Sequence, residues 1–275
     1  MGVGRSPTEN TDVPVTRNGE VELYWAERGD PAGRPFVLVH GLLFSSRMFE
    51  RLAAALADRR LLLVDLRGHG RSSKPTDAST YTWAALAGDV AAVLDAAGVE
   101  RAVVGGTSLG ADTALAMAAH HPERLSGLFV EMPVLSDSEP FARRVFGPLS
   151  TAYRVAAPVL TPVATAIGRV PLPRRPPELA LVRDFLAADP RAASALLAGL
   201  LASERPDEAG LGDVDVPALV IGHRTDPLHA LADAHHVVDV LPKAELHESP
   251  SFLHFRFAPN ELASVLRDWL TRHDV

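Results

Sequence analysis

Apolar and polar positions alternate along this chain in two distinct rhythms. Short continuous apolar runs recur at Phe36–His40 (FVLVH), Leu61–Leu66 (LLLVDL), 102–106 (AVVGG) and 125–133 (LSGLFVEMP). Runs of this length bounded by glycine or proline read as strands buried on both faces. Between them lie longer stretches with apolar residues at helical spacing, MFERLAAALADR, WAALAGDVAAVLDAAG and LGADTALAMAAHHP, closed by Gly98 in the second case and Pro122 in the third. Upstream, VELYWAERG alternates as a half-buried strand and follows Asn18-Gly19, a hairpin-turn pair. Strands that alternate with helices in this way predict βαβ crossovers and a mostly parallel sheet.

The rhythm stops after Val134. From there to about Gly212 the chain is rich in Pro, Ala, Leu and Val and helical in places, with no clear buried strand. It resumes at PALVIG (217–222) and AELHES, and ends in the amphipathic PNELASVLRDWLTRH. An insertion between two strands of a parallel sheet predicts a cap over the carboxyl ends of the strands, where such sheets bind ligands. The expected organisation is a flexible tail over residues 1–15, a core over 16–133 and 213–275, and a cap over 134–212.

Composition narrows the chemistry. The chain has 275 residues and no cysteine, which excludes disulfides, thiolate catalysis and Cys-ligated metal sites. A net charge of −7 with scattered basic residues gives no footprint for nucleic acid. The densest basic spot, Arg174-Arg175, reads as a solvated linker. Gly2 and Ser6 match the loose myristoylation pattern, but no polybasic or second lipid signal accompanies them, and a polar tail is the simpler reading. No apolar run approaches the ~20 residues of a membrane span, so the expectation is a soluble cytoplasmic protein with no membrane partner. Adjacent histidines, His120-His121 and His235-His236, cannot both face one metal from neighbouring helical positions, and no glycine-rich phosphate loop follows the first strand. Neither a metal nor another cofactor is expected.

The chemical signal lies in VVGGTSLGAD. Gly106-Thr107-Ser108-Leu109-Gly110 satisfies G-x-S-x-G between a buried strand and a helix. Small residues at both ends let backbone segments approach, and the sharp turn presents the Ser108 hydroxyl beside a helix N-terminus. His40-Gly41 closes a central strand, so that the Leu42 amide can turn inward opposite the Leu109 amide as a pair of oxyanion donors. In DLRGHGRS, Asp65, Arg67 and His69 read as residues that hold loop geometry.

Together these segments resemble the α/β-hydrolase family, over nearly the whole chain apart from the tail and cap. The resemblance implies a mostly parallel sheet flanked by helices, with a largely helical cap, and a nucleophile–acid–histidine order along the chain. Asp226, after PALVIGH and followed by Pro227, stands where the family carries its acid; Glu131, ending LFVEMP, is the reserve. Of the eleven histidines, six follow Asp226. His235 and His236 fall in a helix leading away, His247 inside the last strand and His273 at the terminus, while His229 is only three residues from Asp226. His254, in the loop after the last strand, is the expected base. Two counts against the family pattern disagree. Forward from Ala244, which opens the last strand, the base falls on His254; backward from Pro259, which opens the last helix, it falls on Phe252.

The expected activity is cofactor-free hydrolysis of a carboxylic ester, thioester or lactone with an apolar portion, through an acyl-enzyme on Ser108. A serine in this place is unlike the dehalogenase and epoxide-hydrolase branches, which use aspartate. Perhydrolase or haloperoxidase-like chemistry would use the same residues. The alternative is a small-molecule-binding member of the fold in which Phe252 has replaced the base.

Overall fold

A computed structural model describes residues 15–171, 178–205 and 208–275. The tail signal at Gly2 and Ser6, and the Arg174-Arg175 pair, lie outside the described residues. A hairpin of β1 (Thr16–Asn18) and β2 (Val21–Leu23) turns at Gly19, whose φ of +61° suits glycine. The main sheet contains β3 (Trp25–Gly29), β4 (Pro35–Val39), β5 (Arg60–Val64), β6 (Ala102–Thr107), β7 (Leu125–Glu131), β8 (Ala218–Thr225) and β9 (Ala244–Ser251). Their order is β3-β5-β4-β6-β7-β8-β9, with β3 antiparallel to β5 and every other pair parallel.

The continuous apolar runs have the cause expected of them: both faces of the sheet are covered. Successive residues of β4 part company, as the strand period of two requires. Val37 and Val39 face one core with α2 (Trp83–Ala96) and α3 (Leu109–His120). Phe36 and Leu38 face a second core with α1 (Glu50–Ala55) and α10 (Pro259–Arg272), where Trp269 is fully buried.

Between β7 and β8 the chain forms the helical cap: α4 (Glu139–Gly168), α5 (Glu178–Leu186), α6 (Pro190–Ala202) and the single turn α7 (Glu208–Leu211). The sequence reading of "helical in places" understated α4, a 30-residue helix that runs through Pro148, Pro158 and Pro162. Each of those prolines removes a helical hydrogen bond. After β8 come α8 (Leu231–Val240), the short α9 (His254–Phe257) and α10. The cap's first segment is anchored by one buried carboxylate. Asp233, on α8, accepts N–H bonds from Leu135, Asp137 and Ser138 at 2.8–3.0 Å. The Ser138 hydroxyl in turn accepts the Ala230 N–H at 2.7 Å. The loop after β8 and the start of the cap are thereby fastened to each other.

Candidate active site

The turn at the end of β6 is built by close approach. A Cβ on Gly106 or on Gly110 would sit 1.9 Å from the Val39 carbonyl oxygen, a contact no side chain survives. Only glycines let β6 and the start of α3 press against the end of β4. Between them Ser108 is forced to φ +55°, ψ −114°, a strained backbone for a residue with a side chain. Its N–H is held by the Glu131 carbonyl at 2.8 Å. Leu43 and Met132, which line the same cavity as Ser108, also have positive φ. Strained backbone therefore gathers around this serine.

Leu42 and Leu109 both border Ser108. The first amides of a helix have no intrahelical acceptor, which leaves the Leu109 N–H at the N-terminus of α3 available to a ligand. The Leu42 side is shaped by a turn in which the Phe44 N–H donates to the Gly41 carbonyl at 3.2 Å. Buried His40 braces the same loop: its Nδ1 meets the Gly41 carbonyl at 2.8 Å and its Nε2 accepts the Leu66 N–H at 3.2 Å. Burial holds the His40 pKa below the ordinary histidine value, consistent with a neutral ring that donates on one side and accepts on the other. Asp65, Arg67 and His69 hold loop geometry. Asp65 accepts the Ser46 and Arg71 N–H groups, Arg67 pairs with buried Asp89, and His69 Nδ1 meets the Arg67 carbonyl.

The histidine that reaches Ser108 is His229, not the expected His254. His229 Nε2 lies 3.0 Å from Ser108 Oγ, and its Nδ1 lies 2.9 Å from Asp226 Oδ2. Nearness in sequence to Asp226 set His229 aside, and that criterion overlooks the two oxygens of a carboxylate. Asp226 Oδ1 accepts the N–H groups of Leu228 and His229 at 2.8 and 3.0 Å, which folds the chain back on itself. Its other oxygen is then free to take the imidazole of the same turn. With Nδ1–H donated to the carboxylate, Nε2 presents a lone pair to the serine hydroxyl. Burial pushes the Asp226 carboxyl up, but the His229 ring and the two backbone N–H groups outweigh it and hold the group below its ordinary value.

His254 opens α9, where its Nε2 meets Glu261 Oε2 at 2.8 Å on the flank of α10. The residue before it, Leu253, is in the right-handed helical region at φ −84°, ψ −17°. This helical turn commits the His254 ring to its pairing on α10. Phe252, the other position reached by counting, lines the cavity beside Ser108 and His229. The reserve acid Glu131 is fully buried; its carboxylate accepts the Thr107 hydroxyl and lies 3.4 Å from His223 Nε2. A further residue near the serine escaped notice in the sequence. Asp112, one helical turn after Ser108, accepts the Val134 N–H at 3.0 Å and pairs with Arg205 of the cap at 3.3 Å. Burial drives its pKa up to about 6, against the pull of Arg205 and the Val134 N–H.

Ser108 and His229 open on a cavity of about 740 Å³ whose walls are overwhelmingly apolar, among them Leu42, Phe146, Tyr153, Phe185 and Phe252. A smaller space of about 90 Å³ also reaches Ser108, bounded by Trp83, Leu197, Asp112 and Arg205. Among the described residues no group of three or more His, Asp or Glu is arranged to hold a metal ion.

Comparison with known proteins agrees with this architecture. The chain is similar to an enol-lactonase from Burkholderia xenovorans LB400 (26% identity, TM-score 0.77, covering 94% of this chain and 100% of that one). It is also similar to an esterase from Rhodococcus sp. ECU1013 (28% identity, TM-score 0.74, covering 94% and 98%). An epoxide hydrolase of Caballeronia sordidicola is 34% identical over 131 residues, 46% of this chain and 39% of that protein. The chain spans less than half the length of the curated relatives it matches. The family description that matches residues 34–258 is that of the alpha/beta hydrolase fold, and the chain belongs to this family.

Proposed function

We propose that this hydrolase-family chain is a serine hydrolase that cleaves a carboxylic ester, thioester or lactone with a large apolar portion, using Ser108, His229 and Asp226. The observation that carries this reading is the continuous hydrogen-bonded chain from Ser108 Oγ through His229 to Asp226, at 3.0 and 2.9 Å. Its order of roles is that of a nucleophile, a base and an orienting acid. His229 takes the Ser108 proton on Nε2 as Oγ bonds to the substrate carbonyl carbon. The Leu42 and Leu109 amides receive the oxyanion. Collapse of the tetrahedral intermediate breaks the bond to the alcohol or thiol, which leaves with the proton from His229. Water then gives a proton to His229 and attacks the acyl carbon. Collapse of this second tetrahedral intermediate breaks the acyl–Oγ bond, with His229 returning the proton to Ser108 Oγ as the carboxylic acid is released. Asp226 keeps Nδ1 protonated throughout and stabilises the imidazolium. The 740 Å³ apolar cavity fits a hydrophobic acyl or alcohol portion. The enol-lactonase and esterase likenesses favour ester-type bonds, and a serine where epoxide opening by this fold uses aspartate argues against the chemistry of the Caballeronia relative.

The test is labelling by a fluorophosphonate probe, with peptide mapping, on the wild type and on Ser108→Ala, His229→Ala and His254→Ala. Labelling at Ser108 that collapses in His229→Ala and persists in His254→Ala is expected. Collapse in His254→Ala alone would return the base to the loop after β9. A second reading has Phe252 for support, since an aromatic side chain there walls the cavity. On this reading the chain binds an apolar small molecule without turning it over. A folded wild type that takes no label but retains such a ligand would establish it.

A further inference from the structure

The outer face of the cap is apolar and open to water. Val155, Val159 and Val163, spaced one helical turn apart on α4, are 73%, 69% and 50% exposed. Phe141, Val145 and Val170 extend the exposed apolar surface towards both ends of the helix, and α5 adds Leu179, Val182 and Leu186. On its inner side α4 buries Ala142, Ser150, Ala157 and Ala164 and half-buries Phe146, Leu149 and Tyr153 against the core and the Ser108 cavity. A helix that already packs one apolar stripe inward and still exposes three valines in register on its outer side carries apolar surface that its own chain does not cover.

Charge identifies the partner. From Pro140 to Pro177 the sequence contains no aspartate or glutamate, in a chain with 34 of them. The same stretch carries Arg144, Arg154 and Arg169, all exposed, and none of the three has a carboxylate partner among the described residues. We propose that this face of the cap docks on an anionic lipid surface, with α4 lying in the plane of the interface, its valines among the acyl chains and its arginines against the headgroups. Apolar residues flanked by arginine and free of acid are the composition such binding needs. A second copy of the chain fits less well, because a two-fold contact through this face would set the uncompensated arginines against their own copies. No single described helix is long and apolar enough to cross a membrane, and the proposed mode is peripheral. It adds a membrane partner that the absence of a spanning run had argued against. The docking face is continuous with the cavity that holds Ser108: Val182 and Phe185 are exposed and also line that cavity.

The experiment is co-sedimentation of the full chain with phosphatidylcholine vesicles, with and without phosphatidylglycerol. The wild type is expected to pellet with the anionic vesicles, to remain in solution with the neutral ones, and to be released as salt rises. Val155→Asp with Val159→Asp should lower the partition at least tenfold, and so should Arg144→Glu with Arg154→Glu and Arg169→Glu. All five positions are exposed, so the thermal midpoint should not move, which separates lost docking from lost folding. Analytical ultracentrifugation of wild type and valine variant completes the test. Failure to bind anionic vesicles, binding that both variants retain, or a wild-type dimer that the valine variant dissolves would each overturn the proposal. None of these readouts depends on Ser108 being a nucleophile.

Discussion

The two halves of the candidate site are held by different physics. The Ser108 half is a matter of space: β4, β6 and the start of α3 touch so closely that Gly106 and Gly110 have no room for a methyl group. The His229 half is a matter of hydrogen bonds: one carboxylate folds a four-residue turn and orients the ring inside it. The first half should fail through stability and the second through activity, and substitutions can separate the two.

The largest effect belongs to the second half. His229→Ala should lower turnover of an apolar ester by about 10⁴–10⁶-fold, the scale on which removal of a serine's base is felt. His254→Ala, which removes a partner of Glu261 and a ring contact with Phe255, should stay within about twofold. Equal losses in both would mean that the two halves are not divided as described. Asp226→Asn comes next. The amide oxygen can still accept the Leu228 and His229 N–H groups, so the turn survives, but its NH₂ would face Nδ1 and force the wrong tautomer. A loss of up to about 10⁴-fold in kcat with little change in thermal midpoint is expected. A large fall in the midpoint would show that Asp226 acts mainly on the fold.

Stability takes over on the Ser108 side. Gly110→Ala drives a methyl group against the backbone oxygen of Val39, with no flexible side chain to give way, and should cost about 3 kcal/mol or more in urea unfolding. Gly147→Ala, in α4 with nothing within 4 Å of the added carbon, should instead gain about 0.5–1 kcal/mol through helix propensity. If both changes behave alike, packing is not what sets the turn.

The same division decides what was legible in the sequence. The Ser108 half rests on a buried strand, two glycines and a helix, all of which leave a mark on composition and period. The mostly parallel sheet follows from the same patterning, because strands covered on both faces have no polar positions to hide. Asp226 was legible by its place after β8. His229 was not, because its role depends on which carboxylate oxygen takes which hydrogen, and neither spacing nor hydropathy records that. One signal was present: Asp-Pro two residues before a histidine's backbone N–H is a turn-forming pair, and a histidine at its third following position is brought back over the carboxylate. His254 attracted attention because it follows the last strand, but the chain there had already begun a helical turn. In the cap, the prolines of α4 disguised a continuous helix, since proline inside a helix ordinarily argues for its end.

Asp112 crosses the division, and it sharpens the comparison through pH. It belongs to the close-packed half, on α3, yet it acts by hydrogen bonds to Val134 and Arg205. Its pKa rises from 3.8 to about 6 on folding because burial disfavours the charge. Between those values the folded chain binds more protons than the unfolded one, so this group's contribution to stability is fully present below pH 3.8 and is lost as pH rises through about 6. Two pH units set a ceiling of about 3 kcal/mol. Asp112→Asn removes the ionisation but leaves Arg205 without its carboxylate, so the net gain at pH 7 should be about 1 kcal/mol. Urea unfolding of both proteins at pH 4, 5, 6 and 7 reads this directly: the two curves should diverge as pH rises, with the variant the more stable at pH 7. Parallel curves would mean that Arg205 keeps Asp112 ionised throughout, and that hydrogen bonding governs the Ser108 half as well.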